Sequence, residues 1–255
     1  MTILAHLKSD VIHGAYAKAG GHEIESGKFA SPESSAALAA NVFAYFCGDV
    51  EAKSFPRDGN FSFLTSPVEC VDLELSLRFP WSGGMHPWLD AVIETKGWLV
   101  GIESKRYEPF RDTKTNGFSE AYDRDVWGSG MQPYSALKDA IKCGKAQFRF
   151  LDAVQLIKHA FGIRTQAAKS GKRAALVYVY AEPRKYPNGR AILEADFTAH
   201  RHEVNRFAKA VEGAEVRFSA LTHKALNKEF ETSTSPSLVF HANAVRAAFL
   251  GNEFS

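Results

Sequence analysis

The chain has 255 residues, 45% of them hydrophobic and 24% charged, with a net charge of +2. That content can bury a sizeable core and argues against disorder, so one domain spanning residues 1–255, with elaborations at both ends, is expected. No apolar run is long enough to cross a bilayer and no signal-type h-region is present, so a cytoplasmic protein with no membrane partner is the expectation.

Ser31-Pro32-Glu33 reads as a helix start with proline at the first helical position, and it leads into a helix from Ala36 to Phe46 that ends near Gly48. Phe55 to Ser66 is turn-rich. Val68 to Phe79 alternates Val71, Leu73, Leu75 and Leu77 against Asp72, Glu74 and Ser76, which predicts a half-buried strand. Pro80 to Pro87 breaks it. Two runs of β-formers then flank Lys96-Gly97, so Trp88 to Tyr107 is predicted to be a hairpin. Arg111 to Gly130 is polar and glycine-containing and reads as an excursion able to cover a site.

Gln147 to Phe161 carries Phe150, Val154, Ile157 and Phe161 on one stripe and Gln155, Lys158 and His159 on another, which predicts an amphipathic helix. Ala174 to Tyr180 is a near-continuous β run of the kind covered on both faces, closed by Glu182-Pro183. The order αβββαβ implies a mixed sheet with helices on both sides, an α/β (mixed α+β) fold. Beyond it, Phe197 to Val211, Glu215 to Ala220 and Ser237 to Leu250 read as helix, strand and helix.

The hairpin carries the chemistry. Asp90 stands on its first strand, and Ile102-Glu103-Ser104-Lys105 on its second. Alternation sends Glu103 and Lys105 to one face and Ile102 and Ser104 to the other. Asp90 and Glu103 are hard oxygen donors suited to Mg²⁺, which usually takes one or two carboxylates plus substrate phosphate oxygens, and Mn²⁺ can substitute. Lys105 could hold the scissile phosphate, stabilise transition-state charge or acidify the attacking water. Glu74, on the preceding strand, is favoured over Glu69 as a third acidic ligand; the other reading of Glu74 is an exposed strand carboxylate.

Charge is unevenly spread. From Lys138 to Arg173 there are nine basic residues, Arg149 and Lys158 among them, against Asp139 and Asp152. From Gly21 to Glu94 there are eleven acids against four basic residues. The basic segment would attract a phosphate polymer by counterion release, unless its residues merely solvate helix faces. Lys158 and His159 share a helix face with Gln155 and could contact phosphate, the alternatives being an exposed lysine and a structurally bonded histidine. Arg149 and Arg106 are further candidates for nucleic-acid contact. Trp81, Trp88, Trp98 and Trp127 could stack on bases or sit in the core.

Other constellations are weaker. Cys47, Cys70 and Cys143 form no C-x-x-C pair, so neither a disulfide framework nor a zinc ribbon is indicated, and they read as buried thiols. His200-Arg201-His202-Glu203 lacks H-E-x-x-H geometry. No G-x-S-x-G, Walker A or G-x-G-x-x-G motif occurs, which excludes the corresponding serine hydrolase, P-loop and dinucleotide-binding readings.

Asp-x12-Glu-x-Lys across a hairpin resembles the signature of the PD-(D/E)XK nuclease superfamily, the restriction-endonuclease-like fold. Residues 31–41, Arg78-Phe-Pro-Trp81, His86-Pro-Trp-Leu-Asp90, Gly101-Ile-Glu-Ser-Lys-Arg106 and Leu151-Asp-Ala-Val-Gln-Leu-Ile-Lys-His159 look like a bacterial branch of it. One departure is that Pro87 lies three residues before Asp90 instead of directly preceding it. The resemblance implies a Mg²⁺-dependent endodeoxyribonuclease acting on DNA in restriction or defence, leaving the 3′ oxygen. It implies that Asp90 and Glu103 hold the ion, that the Ser104 carbonyl can add a ligand, and that Gln155 acts on the metal-bound water or the substrate backbone. A structure-specific repair or recombination nuclease is the alternative within the class, and a noncatalytic nucleic-acid-binding subunit the alternative outside it. A homodimer cutting both strands fits duplex symmetry.

Overall fold

A computed structural model of the chain describes residues 3–19, 22–81, 86–111, 114 and 117–251. Five strands, β1 (Val68–Ser76), β2 (Trp88–Thr95), β3 (Trp98–Lys105), β4 (Arg173–Tyr180) and β5 (Val216–Thr222), form one sheet in that order. β1, β2 and β3 pair antiparallel, whereas β3, β4 and β5 pair parallel, so the sheet is mixed as expected. The helices in chain order are α1 (Ser9–Lys18), α2 (Ser35–Phe43), α3 (Asp49–Ala52), α4 (Glu108–Arg111), α5 (Gln132–Lys142), α6 (Ala153–Lys169), α7 (Glu194–Ala210), α8 (His223–Glu231) and α9 (Pro236–Val245).

Alternation along the central strands sorts the core into two layers. Val100, Ile102, Ala175 and Val177 pack with Leu38 and Phe43 of α2, Phe230 of α8 and Leu238 of α9. Leu99, Leu176 and Tyr178 point the other way, onto Tyr134 of α5, Leu156, Ile157 and Phe161 of α6, and Phe207 of α7. β3 and β4 are buried on both faces, and β4 is the near-continuous β run seen in the sequence.

Several boundaries differ from expectation. The helix expected after Ser31 is capped instead by Ser34, whose Oγ accepts from Ala37 N at 3.0 Å, and it gives way to a short 3₁₀ turn at Ala44. β1 stops at Ser76 rather than Phe79. The helix expected from Gln147 begins at Ala153, because Asp152 Oδ1 accepts from Gln155 N at 2.9 Å and caps it. The preceding amides of Arg149, Phe150 and Leu151 donate to the Glu203 carboxylate at 2.8–2.9 Å, which holds that stretch out of the helix. α1, α5 and α8 are additions to the expected order. The excursion from Arg111 to Gly130 is partly core, since Tyr122 and Trp127 are buried and stack near Phe161; residues 112–113 and 115–116 of it, and residues 82–85 of the break from Pro80 to Pro87, lie outside the described residues. The cysteines are not buried: Cys47 and Cys70 are half-buried and Cys143 is exposed.

Candidate active site

The hairpin register sets Ala91 opposite Ile102 and Val92 opposite Gly101, which brings Asp90 alongside Glu103. Asp90 Oδ2 accepts from Ser104 N at 2.6 Å, locking the carboxylate to the end of β3. Glu103 and Lys105 share the α6 face of β3, as alternation requires. Glu103 is buried, with Oε1 2.5 Å from Lys105 Nζ and Oε2 3.0 Å from His159 Nδ1, the latter without the alignment of a full hydrogen bond. Ser104 turns its side chain to the other face, where Oγ lies 2.9 Å from His223 Nε2. Only its carbonyl is left to serve as a ligand.

Asp90, Glu103, Lys105, Glu74 and Gln155 line one cleft of about 1030 Å³. Glu74 reaches it by an unusual backbone: its φ of 51° lies in the left-handed region, sparsely used by non-glycine residues and strained. Leu73 and Leu75, which in a regular strand share a face, belong here to opposite layers, so the strand turns over at Glu74. Glu69 is instead exposed and 3.8 Å from Lys172, away from the cleft. Of the two, Glu74 lines the cleft.

Charge in this cleft is unbalanced. Burial raises the Asp90 carboxyl well above its ordinary range, and the neighbouring Glu103 and Glu74 add to that against Lys105 and the Ser104 amide. Burial also raises Glu74, to about 7, with Glu103 and Glu23 adding to it against the Tyr16 hydroxyl and Lys105. Glu103 goes the other way. Burial opposes its charge, but Lys105 and then His159 prevail and hold it at about 2. Lys105 is held above the ordinary lysine range: burial opposes its charge too, and Glu103, Glu108 and Asp90 outweigh it.

Among the described residues, no three His, Cys, Asp or Glu side chains are grouped closely enough to hold an ion by themselves. A donor set for Mg²⁺ does not need three, because waters and phosphate oxygens complete its octahedron. A buried acid, Glu103, and a half-buried one, Asp90, beside a strand carbonyl fit a hard divalent cation. Glu103 would give up part of its contact with Lys105 to ligate one.

Not every candidate arrives. His159 does, but buried against Glu103, with Nδ1 3.0 Å from Oε2, instead of exposed to phosphate. Lys158 faces the rings of Phe118 and Tyr122, 5.8 and 5.6 Å from their centroids, because one helical residue before His159 is rotated about 100° from it. Arg106 is buried and donates to Pro32 O and Phe249 O, both at 2.7 Å, so it ties the end of β3 to the segments before α2 and after α9 and does not line the cleft. Arg149 lies over its neighbour Phe150 and does not line the cleft. Four of the nine basic residues of the segment from Lys138 to Arg173 are engaged in ion pairs: Lys138 and Lys142 with Asp123, Arg164 with Glu215, Lys172 with Glu94. Trp98 and Trp127 are core, while Trp88 lines the cleft.

Sequence reasoning missed several cleft residues, Glu108 and Tyr16 among them. Glu108 accepts from Ser35 Oγ at 2.5 Å and from Arg106 N at 2.8 Å, tying the end of β3 to the start of α2. Tyr16 comes from α1, hydrogen-bonded to Ala36 O at 3.0 Å and in contact with Glu74. Neither carries a periodic signal. The proximity of Glu108 to Glu103-x-Lys105 was the one available hint.

A family model described as Restriction Endonuclease associating with ARP matches residues 4–245, nearly the whole chain. No curated protein and no solved structure matches it.

Proposed function

The chain belongs to the family described as Restriction Endonuclease associating with ARP, a restriction-endonuclease-like family with nuclease-like function, and we propose that it is a Mg²⁺-dependent endonuclease of DNA. The observation that carries the reading is Glu103 fixed between Lys105 and His159, with Asp90 locked beside it in one cleft. Asp90, Glu103 and the Ser104 carbonyl would hold the ion, Glu74 adding to them, and Mn²⁺ would substitute for Mg²⁺. When bound, such an ion supplies charge neutralisation at the phosphate and a more acidic water.

The chain's own residues supply the rest. Lys105 keeps its proton, so it serves as a fixed cation beside the phosphate and not as the base. Gln155, at the first turn of α6, brings an amide that can donate and accept to the same cleft. His159 holds Glu103 ionised and oriented, as outer partners of metal ligands commonly do. A role in restriction or defence, action as a homodimer, and the association with ARP that the family description prints are parts of this proposal.

The test is incubation of the purified chain with plasmid, forked and single-stranded DNA, each with Mg²⁺ and with EDTA. Cleavage confined to the Mg²⁺ arms is expected, reduced about 10²–10⁴-fold in Asp90→Ala and Lys105→Ala with unchanged melting. Full activity in both variants would remove these residues from the mechanism. Mobility shifts without fragments in any arm would make the chain a noncatalytic binder.

A further inference from the structure

Beside the main cleft lies a second cavity that the reading above leaves without a task. Its volume is about 220 Å³, and it shares Glu103, Lys105 and Gln155 with the cleft. A reactive phosphate and an occupant of this chamber would therefore be near neighbours. Its further walls are Pro109, Phe150, Leu156 and Tyr178, which are apolar or aromatic surfaces, together with Asp152, Glu108 and Lys114. Phe150, Leu156 and Tyr178 are buried, so three of these walls are rigid parts of the core.

The charge of the walls narrows the occupant. Three acids, Glu103, Glu108 and Asp152, stand against two lysines, Lys114 and the Lys105 already paired with Glu103, so the walls hold no surplus of positive charge for a phosphate. A flat neutral ring needs none. The polar groups left over suit its edge: the Gln155 side-chain amide has no hydrogen-bond partner among the described residues, and Asp152 commits Oδ1 to its helix cap and leaves a second oxygen. An amide that donates and accepts, beside a carboxylate that accepts, is the complement of a base edge bearing an exocyclic amine.

Resting on the nuclease reading, we infer that this chamber receives one unpaired nucleobase of the substrate strand, turned out of the duplex beside the phosphate at Lys105. Turning a base out costs unstacking and unpairing, least where the base is already mismatched. The chamber therefore makes a duplex with one unpaired base the preferred substrate class. Leu156 lies in the wall, so a larger side chain there would fill the space while Asp90, Glu103 and Lys105 themselves stay unsubstituted.

The experiment uses the full chain with Ca²⁺ in place of Mg²⁺, and two duplexes of one sequence, fully paired or carrying a single mismatch with 2-aminopurine as the unpaired base. We expect about tenfold tighter binding of the mismatched duplex, the order set by removing part of the unpairing cost, and a change in 2-aminopurine emission on binding. Both should be lost in Leu156→Trp, while Asp152→Asn, which can keep the helix cap, should retain binding but reduce the preference. If Leu156→Trp does not fold, the Asp152→Asn result decides alone. Equal affinity for both duplexes with unchanged emission would overturn the chamber and leave the nuclease standing. No binding to either duplex, with no cleavage in Mg²⁺, would overturn both.

Discussion

At the scale of single residues, neighbours in sequence part company because side-chain direction, which composition does not encode, decides their roles. Glu103 and Lys105 were legible because a strand alternates with period two, so their shared face follows from spacing alone. Arg106 was not: β3 ends at Lys105, alternation ends with it, and the guanidinium turns inward to two backbone carbonyls. Arg106→Leu is expected to cost about 2–4 kcal/mol by stranding those acceptors, read as a lowered denaturation midpoint, with DNA affinity unchanged in the folded fraction. A weakened affinity at undiminished stability would restore Arg106 as a DNA contact. Glu74 yields a pH prediction. Its carboxyl sits at about 7, so it is mostly protonated at pH 6 and mostly ionised at pH 8. Mg²⁺ binding needs the ionised form, and apparent affinity should rise about tenfold across that interval. Calorimetric titration of Mg²⁺ would measure this, and Glu74→Gln should flatten the rise. An unchanged slope in that variant would take Glu74 out of the ligand set.

The elements explain what a residue reading leaves out, because an element's placement depends on partners remote in sequence. The hairpin and the apolar β4 run were legible from local pattern. The start of α6 was not, since it is set by Glu203, some fifty residues later, accepting from three amides ahead of Asp152. α5 and α8 escaped notice because their apolar residues are few; α8 buries only His223, Leu226, Asn227 and Phe230. How closely α6 approaches the sheet depends on Gly162. A Cβ there would stand 2.7 Å from Leu77 Cβ and 3.3 Å from Pro87 Cγ. The Leu77 Cβ is fixed to its backbone and cannot swing away. Gly162→Ala would gain about 1 kcal/mol of helix propensity. The clash should exceed that gain, giving a net loss of about 1–2 kcal/mol. Moving α6 outward also moves His159, three residues earlier, away from Glu103. Thermal melts should therefore drop by several degrees, and Mg²⁺-dependent cleavage at a temperature where the variant is folded should fall further than the melt alone accounts for. A stabilised variant of full activity would mean that α6 is free to shift.

On the scale of the whole molecule, the two charge poles seen in the sequence meet at Lys172, which pairs with Glu94 and lies 3.8 Å from Glu69. Other acids and bases far apart in the chain also pair: Arg164 with Glu215, Arg111 with Glu33. The cleft gathers Glu103, Asp90 and Glu74 in one place. The core also encloses His200, His223 and His241, all with less than 2% exposure. Burial lowers His200 and His223 to about 3 and His241 to about 4, each also pushed down by a nearby charge or histidine. Between pH 6.5 and 4 the unfolded chain therefore takes up protons that the folded chain refuses. Each such histidine costs about 1.4 kcal/mol of stability per pH unit on acidification through that window. Asp90 and Glu74 work in the opposite sense. Their carboxyls keep protons in the folded state that the unfolded chain would release, so folding gains from them as pH falls from 7 towards 4.5. Glu103, held at about 2, loses its contribution only below its ordinary range and stays out of this window. The opposing groups partly cancel, which makes the change on substitution the decisive quantity. His200 bonds the Tyr178 hydroxyl at 3.1 Å, a contact that a glutamine amide can replace. His200→Gln should be less stable than the parent at pH 7.5, because the new side chain fits the ring's space poorly. Its deficit should shrink by about 2 kcal/mol by pH 5, since the variant no longer refuses a proton there. Denaturant midpoints at the two pH values measure that double difference. A deficit equal at both would mean that His200 titrates in the folded protein as it does in the unfolded chain.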